Sequence, residues 1–266
     1  MAISTIDGAI NGFQYQHYWM KNAASPSSPL FYSLVYATGV PSVATAPSPG
    51  MAGEALTSYE GQLPFSNPPS GNSYLHSFSS TANDVLSMMV YDRLWQNSGI
   101  DVTNTGAQTI NSVAFPARDG NGSTNGAGVL VALEVGAAMG AATPTLTLSY
   151  TNSDGTAGRT GTSIYNTISG SAVGSFYIFS LQGADKGVRS IQTITLGSSW
   201  LSGSVNLVAF RILARTGSWA GTATGFTDWI THCGTRLYDG TVPCLMTWAR
   251  TSSSLIYNGT FTVTQG

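Results

Sequence analysis

Three histidines, three glutamates, nine aspartates and two cysteines are the groups of this chain that could carry acid–base, nucleophilic or metal chemistry. None of His17, His76 and His232 has a second histidine at helical ligand spacing, and HExxH, GxSxG, a Walker A loop and GxGxxG are all absent. A Ser-His-Asp triad is recognised by geometry rather than order, so the many serines leave that route open without favouring it. A glycosidase needs two carboxylates facing each other across a sugar. Glu54, Glu60 and Glu134 are the only glutamates, while Asp119, Asp154, Asp185 and Asp239 lie beside or near glycine, where aspartate builds turns.

Two motifs call for metal or redox chemistry and fall short of it. In Asp119-Gly120-Asn121-Gly122-Ser123-Thr124-Asn125-Gly126, oxygen side chains alternate with glycine as in a calcium loop, but Leu130 stands where the closing acid of an EF-hand would be. The expectation is a polar hairpin loop. Cys233 and Cys244 are spaced for a hairpin disulfide or for two buried thiols. His232 beside Cys233 brings no fourth zinc ligand with it. No catalytic, cofactor-binding or metal-binding residue is therefore expected.

The elements that hold these residues are built from a chain poor in charge. Lys and Arg number 10, Asp and Glu 12, against 31 glycines and a 42% hydrophobic content. Soluble domains carry about 25% charged residues, so a surface of Ser, Thr, Asn and Gly at net charge −2 fits a fixed part of an assembly better than a free monomer. The basic residues are scattered singly, which speaks against nucleic acid. No stretch reaches membrane-spanning length, and Met1–Gly8 has neither a basic nor an apolar signal region.

Eight of the eleven prolines fall in the first 70 residues, which excludes a long helix or a central strand there. That region also holds Tyr15, Tyr18, Trp19, Phe31 and Tyr36, too aromatic for a disordered tail. Residues 1–80 read as an extended proline-rich arm, with one short buried strand at Leu30–Tyr36. The five aromatics are candidate interface anchors, or they complete the chain's own core. Thr81–Gln96 reads as a helix: a capping-box-like start at Thr81-Ala82-Asn83-Asp84, apolar residues Leu86, Met89, Val90 and Leu94 at helical spacing, and Gly99 beyond its end.

Residues 97–266 read as a β-sandwich. Thr145–Tyr150 alternates strictly and is followed by a turn at Asn152-Ser153-Asp154-Gly155 and a return strand over Thr156–Thr162. Further strands are expected at Val129–Val135, Ser175–Leu181, Arg189–Leu196, Val205–Leu213, Val242–Trp248 and Leu255–Thr264. Val205–Leu213, apolar on both faces apart from Asn206 and Arg211, reads as a central strand. The fold class is all-β, a jelly-roll-like β-sandwich with one short helix and an extended proline-rich N-terminal segment.

Several strings resemble a family of tailed-bacteriophage virion proteins. They are Val90-Tyr91-Asp92-Arg93-Leu94-Trp95-Gln96-Asn97-Ser98-Gly99 through Phe115-Pro116-Ala117-Arg118-Asp119-Gly120-Asn121-Gly122, then Ser149–Thr160, Lys186–Gln192 and Arg236-Leu237-Tyr238-Asp239-Gly240. The resemblance covers residues 80 to 264 and transfers no catalytic role. It implies a virion structural protein, preferentially a capsid cement or decoration protein assembled in the host cytoplasm. Its implied partners are further copies of itself, as a trimer, and the major capsid protein or other virion proteins, with neither nucleic acid nor membrane. A tail or receptor-binding protein contacting host glycans and a virion-associated polysaccharide-degrading enzyme are the alternatives.

Overall fold

The computed structural model describes residues 5–23, 28–218, 224–228, 234–249 and 254–266. His232 and Cys233 lie outside the described residues, and so does the pairing of Cys233 with Cys244. A short helix α1 (Ile6–Asn11) opens the described chain, its first turn capped by Thr5, whose Oγ1 accepts from the Gly8 N–H at 3.0 Å. There follow β1 (Phe13–Ala23), β2 (Phe31–Ser33), a 3-10 turn at Leu34–Tyr36, β3 (Thr38–Val40), β4 (Glu54–Ala55), β5 (Ser73–Ala82) and β6 (Leu86–Asn97). Next come β7 (Gln108–Thr109), β8 (Val129–Ala137), β9 (Leu146–Asn152), β10 (Arg159–Thr162), β11 (Ser175–Ile178) and β12 (Val188–Leu196). β13 (Ser204–Ser218), β14 (Gly225–Asp228), β15 (Arg236–Leu237), β16 (Pro243–Ala249) and β17 (Leu255–Gln265) complete the order.

The molecule is all-β, with antiparallel sheets packed face to face as in a sandwich, and the central sheet closes on itself. Its strands run β13-β8-β11-β2-β16-β6, and β6 pairs back onto β13 from Leu86↔Ser218 to Asn97↔Leu207. Closure into a ring leaves these six strands no free edge. The ring's inside is identified by Tyr91, Phe176 and Phe210. These come from β6, β11 and β13, and β11 is paired to neither of the other two, yet the ring centroids meet at 5.4 to 6.0 Å. Met89, Ala132, Val208, Cys244 and Met246 complete that interior cluster.

Two further sheets cover the outside of the ring. A small sheet, β10-β9-β12-β7, lays Leu146, Leu148, Tyr150, Ile191 and Ile194 against Val131, Leu133, Val135, Leu207 and Trp95. A terminal sheet, β14-β5-β17-β1-β3 with β15 on β5, lays Trp19, Phe78, Tyr257 and Phe261 against Met88, Val90, Leu213 and Leu245. Trp19 stacks on Phe78 at 5.9 Å and lies over its cross-strand partner Gly259. A Cβ there would meet Trp19 at 2.7 Å and the Ser79 carbonyl oxygen at 1.9 Å, so only glycine fits.

The strands expected beyond residue 100 are all found, with small shifts at their ends. The expected helix at Thr81–Gln96 is not. That stretch is the end of β5, a turn at Asn83-Asp84-Val85 and β6, whose twelve residues are all buried. A strand covered on both faces loses the period-2 signal, and a continuous apolar run then supplies helical spacings by chance. Asp84, the acid of the expected capping-box-like start, accepts from the Val85 N–H at 2.7 Å inside the turn.

The proline-rich segment is likewise no arm. β1 lies inside the terminal sheet, paired to β17 from Phe13↔Thr264 to Ala23↔Leu255. β2 closes the ring between β11 and β16. The expected strand at Leu30–Tyr36 is β2 followed by the 3-10 turn. A division at residue 80 therefore cuts through two sheets.

Candidate functional site

The charged side chains give the first clue to function, through where they are. Lys21, Asp92, Arg93, Arg118, Asp119, Glu134 and Arg211 are all buried. With 22 charged residues in the chain, no more than 15 are left to face solvent.

Inside the ring, Glu134 on β8 accepts from Arg93 Nη1 at 3.1 Å and Nη2 at 2.7 Å, and from the Tyr36 hydroxyl at 3.0 Å. Gln96 Oε1 accepts from Arg93 Nε and Nη2, and the guanidinium lies 4.2 Å from the Tyr59 ring centroid. Burial opposes the Arg93 charge, but Glu134 and the tyrosines outweigh it and raise its pKa further. Burial, with Glu134 adding to it, pushes the Tyr36 hydroxyl well up. Gln96 Nε2 donates to Glu54 at 2.6 Å, and Glu60 accepts from the Thr45 N–H at 2.7 Å. Each of the three glutamates is thus engaged by a donor of the chain itself.

On the outer side of β6, Asp92 holds Arg118 at 3.2 Å and Arg211 at 3.5 Å and accepts from the Val242 N–H at 2.9 Å. Tyr150, Asn152 and Arg159 gather on Asp185, whose carboxyl Arg159 above all holds down at about 2. Asp119 is bonded within its own loop. Its oxygens accept from Asn121 N–H, Ser123 N–H, Ser123 Oγ and Ala127 N–H at 2.7 to 2.9 Å. The loop uses its own acid, as a hairpin loop does. Among the described residues no three His, Cys, Asp or Glu side chains converge as a metal site.

The five aromatic anchors separate in the structure. Trp19 is fully buried in the core, Tyr36 is tied into the Glu134 cluster, and Tyr15 donates to the Pro64 carbonyl at 2.9 Å. Phe31 is half-buried, 6.1 Å from the Tyr165 ring. These four complete the chain's own core, and only Tyr18 stands exposed. The reason is strand parity: β1 turns Trp19 inward and the residues on either side of it outward.

Tyr18 marks the outer face of the terminal sheet. Register aligns Tyr18, Thr260, Ser79 and Phe226 in one cross-strand row, and Val40, Met20, Asn258 and Thr81 in the next. Ile256 sits opposite Asn22 in the row beyond. Tyr18, Met20, Val40, Phe226 and Ile256 are 43% to 60% exposed, so five large apolar side chains stand on one face. Between them lie Ser, Thr and Asn, with Thr260 Oγ1 2.8 Å from Ser79 Oγ. The row from Gln16 through Thr262 and Ser77 ends at Asp228, the only formal charge among these described positions. The sequence reading missed Met20, Val40, Phe226 and Ile256. Alternation in β1 and β17 could have found Met20 and Ile256, but not their shared face with Val40 and Phe226.

No protein-family model matches the chain, and no curated protein matches it. Among solved structures it is similar to the VP2 subviral particle of infectious bursal disease virus, at 8% identity over 96% of this chain and 81% of that one, with a TM-score of 0.20. The structure of the Gt strain of the same virus aligns at 9% identity over 95% of this chain and 82% of that one, also at 0.20. Superpositions this poor carry no functional argument.

Proposed function

We propose that this chain is a structural component of a virion, docked on a neighbouring protein through the outer face of the terminal sheet. The observation that carries the reading is that face: five exposed apolar side chains in adjoining rows with one charge at the corner, on a chain that buries seven of its charges. Contiguous exposed apolar surface marks association sites. Neutral hydroxyl and amide groups between the apolar ones suit a protein partner, because they desolvate at lower cost than ions.

The resemblance of those strings to tailed-bacteriophage virion proteins favours a capsid cement or decoration protein. It would act as a homo-oligomer, a trimer by family analogy, bound to the major capsid protein. The burial and pairing of Glu134 and the capture of Asp119 by its own loop support a protein without catalytic activity.

The test is particle binding by purified full-length chain. Tyr18→Asp and Phe226→Asp each place a charge on an exposed position, so folding should persist while occupancy falls about tenfold, the effect of about 1.4 kcal/mol. Imaging of decorated particles would place the protein on head or tail. Undiminished occupancy for both variants would remove the face from the argument. Density on the tail would replace the cement role with the receptor-binding one.

A further inference from the structure

A cleft of about 490 Å³ opens at the seam where the chain passes from the small sheet to the central ring. Thr143, Thr145, Thr162, Tyr165 and Asn166 line it. β10 ends at Thr162, paired with Thr147, and one residue later Ser163 bridges to Phe179 beside β11. The cleft therefore lies between two layers, beside the core that Leu146 belongs to and Tyr165 packs against.

Its walls are held by hydrogen bonds within the protein. Ser163 N–H donates to the Leu146 carbonyl at 3.2 Å, Thr167 Oγ1 to the Pro144 carbonyl at 2.7 Å, and Ser163 Oγ to the Tyr165 carbonyl at 2.6 Å. The Ile168 N–H donates to the Tyr177 hydroxyl at 3.0 Å. The Tyr165 ring is propped at 6.1 Å by Phe31. Asn166 and Thr143 are exposed at the rim. Among the described residues no Asp, Glu, Lys, Arg or His lines the cleft, and at the far end of β10 Arg159 is paired to Asp185.

A preformed cleft of this size, with one aromatic ring, one amide and several hydroxyls but no charge, has a definite chemical complement. Ionic ligands find no counter-charge in it. A purely apolar ligand would bury the amide and hydroxyls without partners, which costs free energy. A pyranose fits both demands, since its C–H face lies on an aromatic ring while its hydroxyls exchange hydrogen bonds with amide and hydroxyl groups. We propose that this cleft binds a neutral saccharide, with Tyr165 as the platform and Asn166, Thr143, Thr145 and Thr162 as hydrogen-bond partners. The site is independent of the docking face, which lies on another sheet.

Saturation-transfer NMR on the full chain tests the assignment, using maltose, cellobiose, lactose and N,N′-diacetylchitobiose at about 10 mM, with 3′-sialyllactose as charged control; millimolar affinity corresponds to about −4 kcal/mol. Transfer to the ring protons of at least one neutral sugar is expected. Asn166→Ala and Thr143→Trp, both at exposed positions, should weaken it about tenfold with an unchanged melting temperature. Tyr165→Phe should retain it, because the platform is kept. Absence of transfer from all four neutral sugars overturns the proposal, as does transfer undiminished in Thr143→Trp or seen only with the charged sugar. Particle binding by the same variants stays at the wild-type level if the cleft and the docking face are separate.

Discussion

Replacing Glu134 by Gln removes one negative charge from a closed ring of strands while keeping the side chain's shape. In the native protein Glu134 is fully buried and takes three hydrogen bonds, two of them from Arg93. Glutamine can accept only at its single carbonyl oxygen, and its amide group faces a guanidinium that needs an acceptor. Arg93 is then left as a buried cation with at most one bond to the glutamine carbonyl besides Gln96 Oε1 and the Tyr59 ring. Breaking one side of a buried pair costs about 3–5 kcal/mol, a large part of the roughly 5–15 kcal/mol that holds a domain folded. Urea unfolding followed by fluorescence of the buried Trp19, Trp95 and Trp200 measures this directly. The double variant Arg93→Leu/Glu134→Leu, with neither partner of this buried pair left, should be less destabilised than the sum of its two single variants by about 2 kcal/mol or more. A Glu134→Gln protein within about 1 kcal/mol of wild type, or additive single variants, would refute the reasoning.

Lys21 gives a pH signature of its own. Its ammonium donates to the carbonyls of Ala37, Pro41 and Ser42, and burial lowers its pKa from 10.5 to about 8. Between those values the unfolded chain binds a proton that the native protein does not, so stability rises with pH through this window, by about 3 kcal/mol in total. Cys244, pushed up to about 12 by burial, acts in the opposite direction, so the quantity to measure is wild type minus Lys21→Met from pH 7 to 10.5, and a flat difference sinks the assignment. Asp119→Asn should destabilise the protein by about 1–3 kcal/mol through its lost acceptors, and calcium should leave the wild-type melting temperature unchanged; a calcium-dependent rise would restore the ion-site reading. Asp185, held at about 2 chiefly by Arg159, contributes stability above the ordinary carboxylate range that is lost as pH falls from about 4 to about 2; an Asp185→Asn variant with an unchanged acid-unfolding curve would contradict this.

What could be read from the sequence depended on how many faces of a strand are buried. β9 alternates Leu146, Leu148 and Tyr150 inward with more exposed positions between them, and its pattern was legible. β6 is covered on both sides, and its pattern imitated a helix. Lone charges inside apolar runs, Glu134 in β8 and Asp92-Arg93 in β6, carried a signal that a strand interior must pair them. Nothing in sequence spacing said with whom. The docking face was invisible for a related reason, since it is assembled from β1, β3, β5, β14 and β17, drawn from both ends of the chain.

The pairing of β1 with β17 also constrains how this protein is made. A ribosome releases Phe13 long before Thr264, its register partner, exists. Until then β1 has only β3 to pair with, and the ring is open until β16 arrives beside β2. Nearly the whole chain must therefore be synthesised before either sheet is complete, and such long-range pairing is intrinsically slow. In the meantime β1 has only the short β3 beside it and β6 only the short β4 until β13 is made, and incompletely paired strands of this kind aggregate. Removing residues 1–70 would delete β1 and β2 and leave the ring open between β11 and β16 for good: it would take out a closing strand, not trim an appendage.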